Sequence, residues 1–112
     1  MIKLKNNIND LILDGVKPSQ LENLKELEAR YDARKSFYKK AYIGTFTFAN
    51  GQKAIYLKSY NTIVACIFQN QLRIYGGFSQ TTARHIREFA NQNSFREWIP
   101  FSEMKSDVVY SL

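Results

Sequence analysis

The chain predicts an α+β domain: an antiparallel β-sheet of about four strands with an N-terminal helix and a C-terminal helix packed on it. Three observations carry this. Four strand-like runs succeed one another between Tyr42 and Tyr75, separated by short turns and not by helix-length connections. A run with apolar residues at three- and four-residue steps precedes them, and a second one follows. The length of 112 residues, with 45% hydrophobic and 23% charged side chains, suits a single globular domain with a core of its own.

Residues 2–14 send mixed signals, because IKLK alternates like a strand while Ile8, Leu11 and Ile12 have helical spacing. Pro18-Ser19 then announces a helix. Ser19 and Glu22 have the spacing of a capping box, in which hydroxyl and carboxylate each satisfy a free backbone N–H. Leu21, Leu24, Leu27 and Tyr31 continue at helical steps, so a helix is expected from about Gln20 to about Lys39. Its acids (Glu22, Glu26, Glu28) come early and its bases late, the order a helix dipole favours. YIGTFTF (42–48) and KAIYLKS (53–59) flank Asn50-Gly51, a strong hairpin signal. NTIVACIF (61–68) is apolar on both parities, as a central strand covered on two sides requires. LRIY (72–75) follows a second turn at Gln69-Asn70-Gln71, and Gly76-Gly77 ends it. Ser79 or Thr81 caps a helix from about Thr82 to about Gln92, with Thr82, Ile86, Phe89 and Ala90 inward, Arg84, Arg87 and Glu88 outward, and His85 at the border. The remainder, SFREWIPFSEMKSDVVYSL, mixes signals and suggests a short helix or strand before a loose tail. No repeat or linker points to a second domain.

The net charge of +6 is unevenly placed. Residues 33–87 contain Arg34, Lys35, Lys39, Lys40, Lys53, Lys58, Arg73, Arg84 and Arg87 and no acid at all, whereas both flanking segments are net acidic. A field of one sign attracts polyanions. These nine residues and Tyr60 are therefore the expected contacts to nucleic acid or a nucleoprotein. Tyr56, Tyr60, Tyr75 and Phe78 interleave with the bases; half or more of them are expected in the core, and those left exposed supply faces on which nucleobases stack. No RNP motif, zinc finger or helix-turn-helix accompanies them. GGFSQTT lacks the lysine and spacing of a phosphate loop, so it reads as a turn and a helix cap, with Arg84 and Arg87 beyond it positioned to grip phosphate.

Catalysis finds less support. His85 is the sole histidine, and although Tyr75, Ser79, Thr82 and Arg84 are near in sequence, no spacing matches a hydrolase motif. The expectation is a non-enzymatic protein without catalytic residues, and a small His85-dependent nuclease is the outlying alternative. The single cysteine, Cys66, excludes an internal disulfide and a cysteine-cluster zinc site, and no metal or cofactor is expected. The longest apolar run, IVACIF (63–68), is too short to span a bilayer, and MIKLKNNIND lacks an apolar signal core, so a cytoplasmic protein with no membrane partner is expected.

SYNTIVACI (59–67) together with YGGFSQTTARHIREFA (75–90) resembles an uncharacterised family of small proteins carried by phages, plasmids and integrated elements of Gram-positive bacteria. The likeness covers roughly the middle third of the chain and includes Tyr60, Asn61, Thr62, Ser79, Thr81, Thr82, His85 and Ile86. It assigns no activity, but it implies a mobile-element origin and work in a host bacterial cytoplasm. Small proteins of such elements often bind a host machine, anti-CRISPR inhibitors among them. The most specific expectation from the resemblance is therefore an anti-CRISPR inhibitor of an RNA-guided effector nuclease, with guide RNA or DNA, or the nuclease itself, as the partner. The other expectation is a DNA- or RNA-binding accessory factor for replication or gene control of the element.

Overall fold

The computed structural model describes residues 3–4, 15–32, 37–49, 51–75, 79–105 and 107–112. They form an antiparallel sheet and, among the described residues, one α-helix. The strands are β1 (Lys3–Leu4), β2 (Glu22–Glu26), β3 (Ala41–Thr47), β4 (Lys53–Ser59), β5 (Thr62–Phe68), β6 (Gln71–Ile74) and β7 (Val108–Ser111), and the helix is α1 (Gln80–Gln92). Across the sheet the order is β1-β7-β6-β5-β4-β3-β2, six strands of four residues or more and the two-residue β1 at one edge. No described helix is long and apolar enough to cross a membrane.

The expected sheet of about four strands is too small: the meander β3–β6 lies in the segments with strand patterning, but β2 extends the sheet at one edge and β7 with β1 at the other. Its turns supply the backbone that hairpins need: Gly51 has φ +87°, and Gln69 and Asn70 have φ +51° and +61°, the positive pair that matches the twist of the flanking strands. Asn50 and Gly76-Gly77 lie outside the described residues. Register assigns the two faces. Ala41, Leu57, Ala65, Leu72, Ile74, Val108 and Tyr110 face α1 and pack with its Ala83, Ile86, Phe89 and Ala90. Ala54, Tyr56 and Cys66 face the other way and pack with Val16 and Leu21. One extra residue at Val64 shifts the β4–β5 register, a bulge that lets Val64 join the helix-side core.

The N-terminal helix expected over Gln20–Lys39 is overturned. Pro18–Gln20 makes one 3-10 turn, and Glu22–Glu26 is a strand paired with β3, Glu22 opposite Thr45 and Glu26 opposite Tyr42. The three- and four-residue spacing of the leucines does not describe one apolar stripe: Leu21 is buried beneath the sheet, Leu27 is buried on the helix side, and Leu24 between them is 45% exposed. Pairing with β3 overrode helix propensity, as tertiary context can. Asn23, at φ +55°, makes the irregularity that twists this charged edge strand and blunts it against further pairing. The C-terminal end is no loose tail either, because β7 is hydrogen-bonded between β1 and β6.

Gly44 is where β3 and the chain entering β2 meet. An added Cβ would stand 3.0 Å from both Leu21 Cβ and Leu24 Cδ2 and 3.2 Å from the Glu22 carbonyl oxygen. Gly44→Ala is therefore expected to destabilise by about 1–3 kcal/mol through overpacking, read as a lower midpoint of urea unfolding. Retention of wild-type stability would show that β2 does not lie this close to β3.

Candidate functional site

The N-terminal end of α1 is held by a chain of side-chain hydrogen bonds. Ser79 caps the helix, its Oγ accepting from the Thr82 N–H at 3.2 Å and donating to Thr82 Oγ1 at 3.3 Å. Thr82 Oγ1 lies 3.1 Å from Ser59 Oγ, which lies 2.9 Å from His85 Nδ1. All these bonds run in one direction when Thr82 donates to Ser59 and Ser59 donates to a neutral His85 protonated on Nε2. Ser59 and His85 are 2% and 1% exposed, and Phe37 meets the imidazole edge-on with centroids 4.8 Å apart. Burial, and then the nearby Arg84, lower the His85 pKa from 6.5 to about 4, partly opposed by Asp32. The serine–histidine pair, almost wholly buried, ties the β4–β5 turn to the helix.

One turn and more further along, Glu88 was expected to point outward but is buried. Its Oε1 accepts the backbone N–H groups of Tyr31 and Asp32 at 2.8 and 2.9 Å, and its Oε2 accepts from Gln92 Nε2 at 2.7 Å. Gln92 Nε2 also reaches the Glu28 carbonyl at 2.7 Å. The segment after β2 is thereby fastened across the helix. Asp32, so placed, takes a two-pronged bond from Arg84, with Nε 3.1 Å from Oδ2 and Nη2 on Oδ1.

Between this segment and the chain beyond the helix lies an open cleft of about 350 Å³, lined by Tyr31, Asp32, Arg84, Arg87, Glu88, Asn91 and Trp98. Arg87 donates from Nε to the Ile99 carbonyl at 2.9 Å and lays its guanidinium 3.9 Å from the centre of the Trp98 ring. Burial and the neighbouring Arg84 lower its pKa from the ordinary arginine value. Arg96 lies over Tyr31 at 5.2 Å. A narrower crevice, lined by Tyr38, Lys40, Thr81, Arg84 and His85 among others, continues from Arg84 toward the helix start. There Lys40 Nζ stands 5.9 Å from the Tyr60 ring centre. Tyr38, Lys39 and Tyr60 all have φ between +55° and +62°, conformations that bulky residues hold only at a cost and that concentrate at functional sites.

Of the residues expected to bind, the structure brings Lys40, Tyr60, Arg84 and Arg87 to one side of the molecule, and Lys39 lies exposed in the same turn, its N–H bonded to Glu26 Oε2 at 2.9 Å. Three others lie elsewhere. Lys58 follows the opposite parity to Ser59, which puts it on the far face with Nζ 5.5 Å from the Tyr42 ring centre. Lys53 is six residues along β4 from Ser59, about 20 Å away in a strand. Arg73 is 3% exposed and bonded through Nη2 to Asp107 at 3.2 Å. Arg34 and Lys35 are outside the described residues. Trp98, Tyr31, Tyr38 and Arg96 were missed. The one available signal was the sole tryptophan between two charged residues and a proline in REWIP.

Two outcomes follow from this geometry. The His85 pKa is about 4 folded and 6.5 unfolded, so its contribution to stability is complete above pH 6.5 and is lost as pH falls from 6.5 toward 4. The loss is up to about 3 kcal/mol, and His85→Gln should flatten that part of the profile of unfolding free energy against pH. An unchanged slope in the variant would show that the imidazole is not held neutral. Glu88→Ala, which strands two backbone N–H groups, is expected to cost about 3 kcal/mol. It should also remove hydrogen-exchange protection at Tyr31 and Asp32, and protection that persists would place these amides on another acceptor.

No curated protein and no solved structure matches the chain. A family model described as a family of unknown function, DUF8033, matches residues 25–106, a span that takes in the last two residues of β2, the meander, α1 and every residue of the cleft. The chain belongs to this family, DUF8033.

Proposed function

We propose that this is a non-enzymatic binding protein that holds single-stranded nucleic acid along the outer side of α1. One observation carries the reading. The four exposed large aromatic side chains among the described residues, Tyr31, Tyr38, Tyr60 and Trp98, border the cleft, the crevice and the helix start, and Lys40, Arg84, Arg87 and Arg96 alternate with them. Arginine and lysine meet phosphates while aromatic faces stack bases without regard to sequence. Both faces of the sheet already have a core, so burying these rings is not what the fold needs them for. The buried Ser59–His85 pair supports binding over a histidine-dependent nuclease. The working compartment on this reading is the cytoplasm of a bacterium carrying the mobile element.

A second reading has one feature in its favour. Exposed tryptophan, tyrosine and arginine are also the residues that anchor protein interfaces, which suits a nucleoprotein target such as an RNA-guided effector nuclease. An accessory factor for replication or gene control would use the strand-binding form without that partner.

Fluorescence anisotropy with labelled single strands and duplexes at several salt concentrations tests the proposal. With Arg84 held by Asp32, phosphate contacts from Lys40, Arg87 and Arg96 give a slope of log affinity against log salt of about −2 for a single strand. Arg87→Ala should lower that slope by about 0.7, while Trp98→Ala should leave it and cost about 1–3 kcal/mol in affinity. Lys53→Ala serves as the control and should change neither. Absence of binding to any strand sinks the strand reading, and co-purification with an effector nuclease that depends on Trp98 would then carry the second.

A further inference from the structure

We infer that the cleft between Tyr31 and Trp98 is a subsite for one nucleotide, with the base against Trp98, the base edge on Asn91 and the attached phosphate on Arg87. The inference rests on the strand-binding reading and deepens it. The cleft volume of about 350 Å³ lies at the low end for ligand pockets, where one base and its sugar phosphate fit but a folded partner does not.

Its hydrogen-bonding groups divide sharply into engaged and open ones. The two carboxylates that line it are both engaged, Asp32 by Arg84 and Glu88 by two backbone N–H groups and Gln92. Neither is left to attract a cation. Arg87 is fixed differently. Its Nε is anchored on the Ile99 carbonyl, and no hydrogen bond to a described residue occupies its terminal nitrogens. A planar fork held at its base and open at its tip is the form in which arginine takes a phosphate. The Asn91 side chain likewise has no partner among the described residues, and its amide offers the donor and acceptor that a base edge requires.

The aromatic walls complete the arrangement. Trp98 carries the Arg87 guanidinium on one face and is still 73% exposed, which leaves ring surface for stacking. Tyr31 is in the same position, under Arg96 and 53% exposed. The guanidinium already on each ring is no obstacle, because arginine, aromatic ring and base stack in succession.

Trp98 is the only tryptophan in the chain, so its emission reports this cleft directly. The experiment titrates the intact protein with each of the four 5′-ribonucleoside monophosphates, with inorganic phosphate as the control. Saturable quenching by at least one nucleotide, absent with phosphate, is expected, with Arg87→Ala weakening it tenfold or more. Asn91→Ala, which breaks no side-chain hydrogen bond among the described residues, should weaken it at least threefold with an unchanged circular dichroism spectrum. Quenching by phosphate equal to that by nucleotides would reduce the cleft to an anion site and overturn the inference. No quenching by any nucleotide, while labelled strands still bind by anisotropy, would overturn the subsite and leave the strand reading standing. Failure of both measurements would remove the two together.

Discussion

The buried carboxylate of Glu88 is the contact on which the outer side of the molecule depends. Taking such a group out of water costs several kcal/mol unless it is fully hydrogen-bonded, and three donors meet it here. Two of those donors are backbone N–H groups from a segment 56 and 57 residues away, so the helix and the chain after β2 cannot separate without exposing them. This docking sets Tyr31 as one wall of the cleft and brings Asp32 to Arg84. Without it Arg84 would lose its carboxylate partner, and the cleft would have one wall.

Charge segregation along the sequence turns out to be a poor guide to charge segregation in space. The acid-free stretch from residue 33 to 87 ends up answered by acids on either side of it: Asp32, immediately before, neutralises Arg84, and Asp107, far beyond, pairs with Arg73. Lys53 and Lys58 are dispersed along a strand whose parity and length carry them away from the helix. What is left of the basic field is a short stripe beside aromatic rings, and Arg87 is its best-positioned member. On the proposed reading, attraction for a polyanion depends less on the net charge than on which guanidinium has been left without a carboxylate.

The meander was legible because its signals are local. Asn-Gly and Gln-Asn turns, alternating or doubly apolar strands, and a serine cap ahead of a helix each act within a few residues. The outward phase of Arg84 and Arg87 was legible for the same reason. Glu88 lies on that outward phase too, and no local rule says that another segment will fold over it. The chain through β2 failed on a genuine ambiguity. Its leucines fit a helix, and only the pairing with β3 shows that Leu21 and Leu27 belong to different cores. The aromatic walls were illegible because Tyr31 and Trp98 stand 67 positions apart, and only the fold brings them to one cleft.

The placement of the candidate site follows from where this fold is rigid and where it is irregular. α1 is seated on the sheet through Ala83, Ile86, Phe89 and Ala90, and its start is pinned to the β4–β5 turn through Ser59, Thr82 and His85. Residues that project from the other side of such a helix keep their positions without help from a ligand. The rings come instead from irregular backbone: Tyr38 and Tyr60 from left-handed turns, Tyr31 from the segment after β2, and Trp98 from the stretch after α1. Irregular segments carry side chains that a strand or helix would have turned inward, and loops on a fixed scaffold are where binding groups collect. Charged groups held on the helix, with aromatic groups brought in from loops around it, give a surface whose electrostatic contacts are preorganised. On the proposed strand-binding reading, its stacking contacts can still adjust to whichever base arrives.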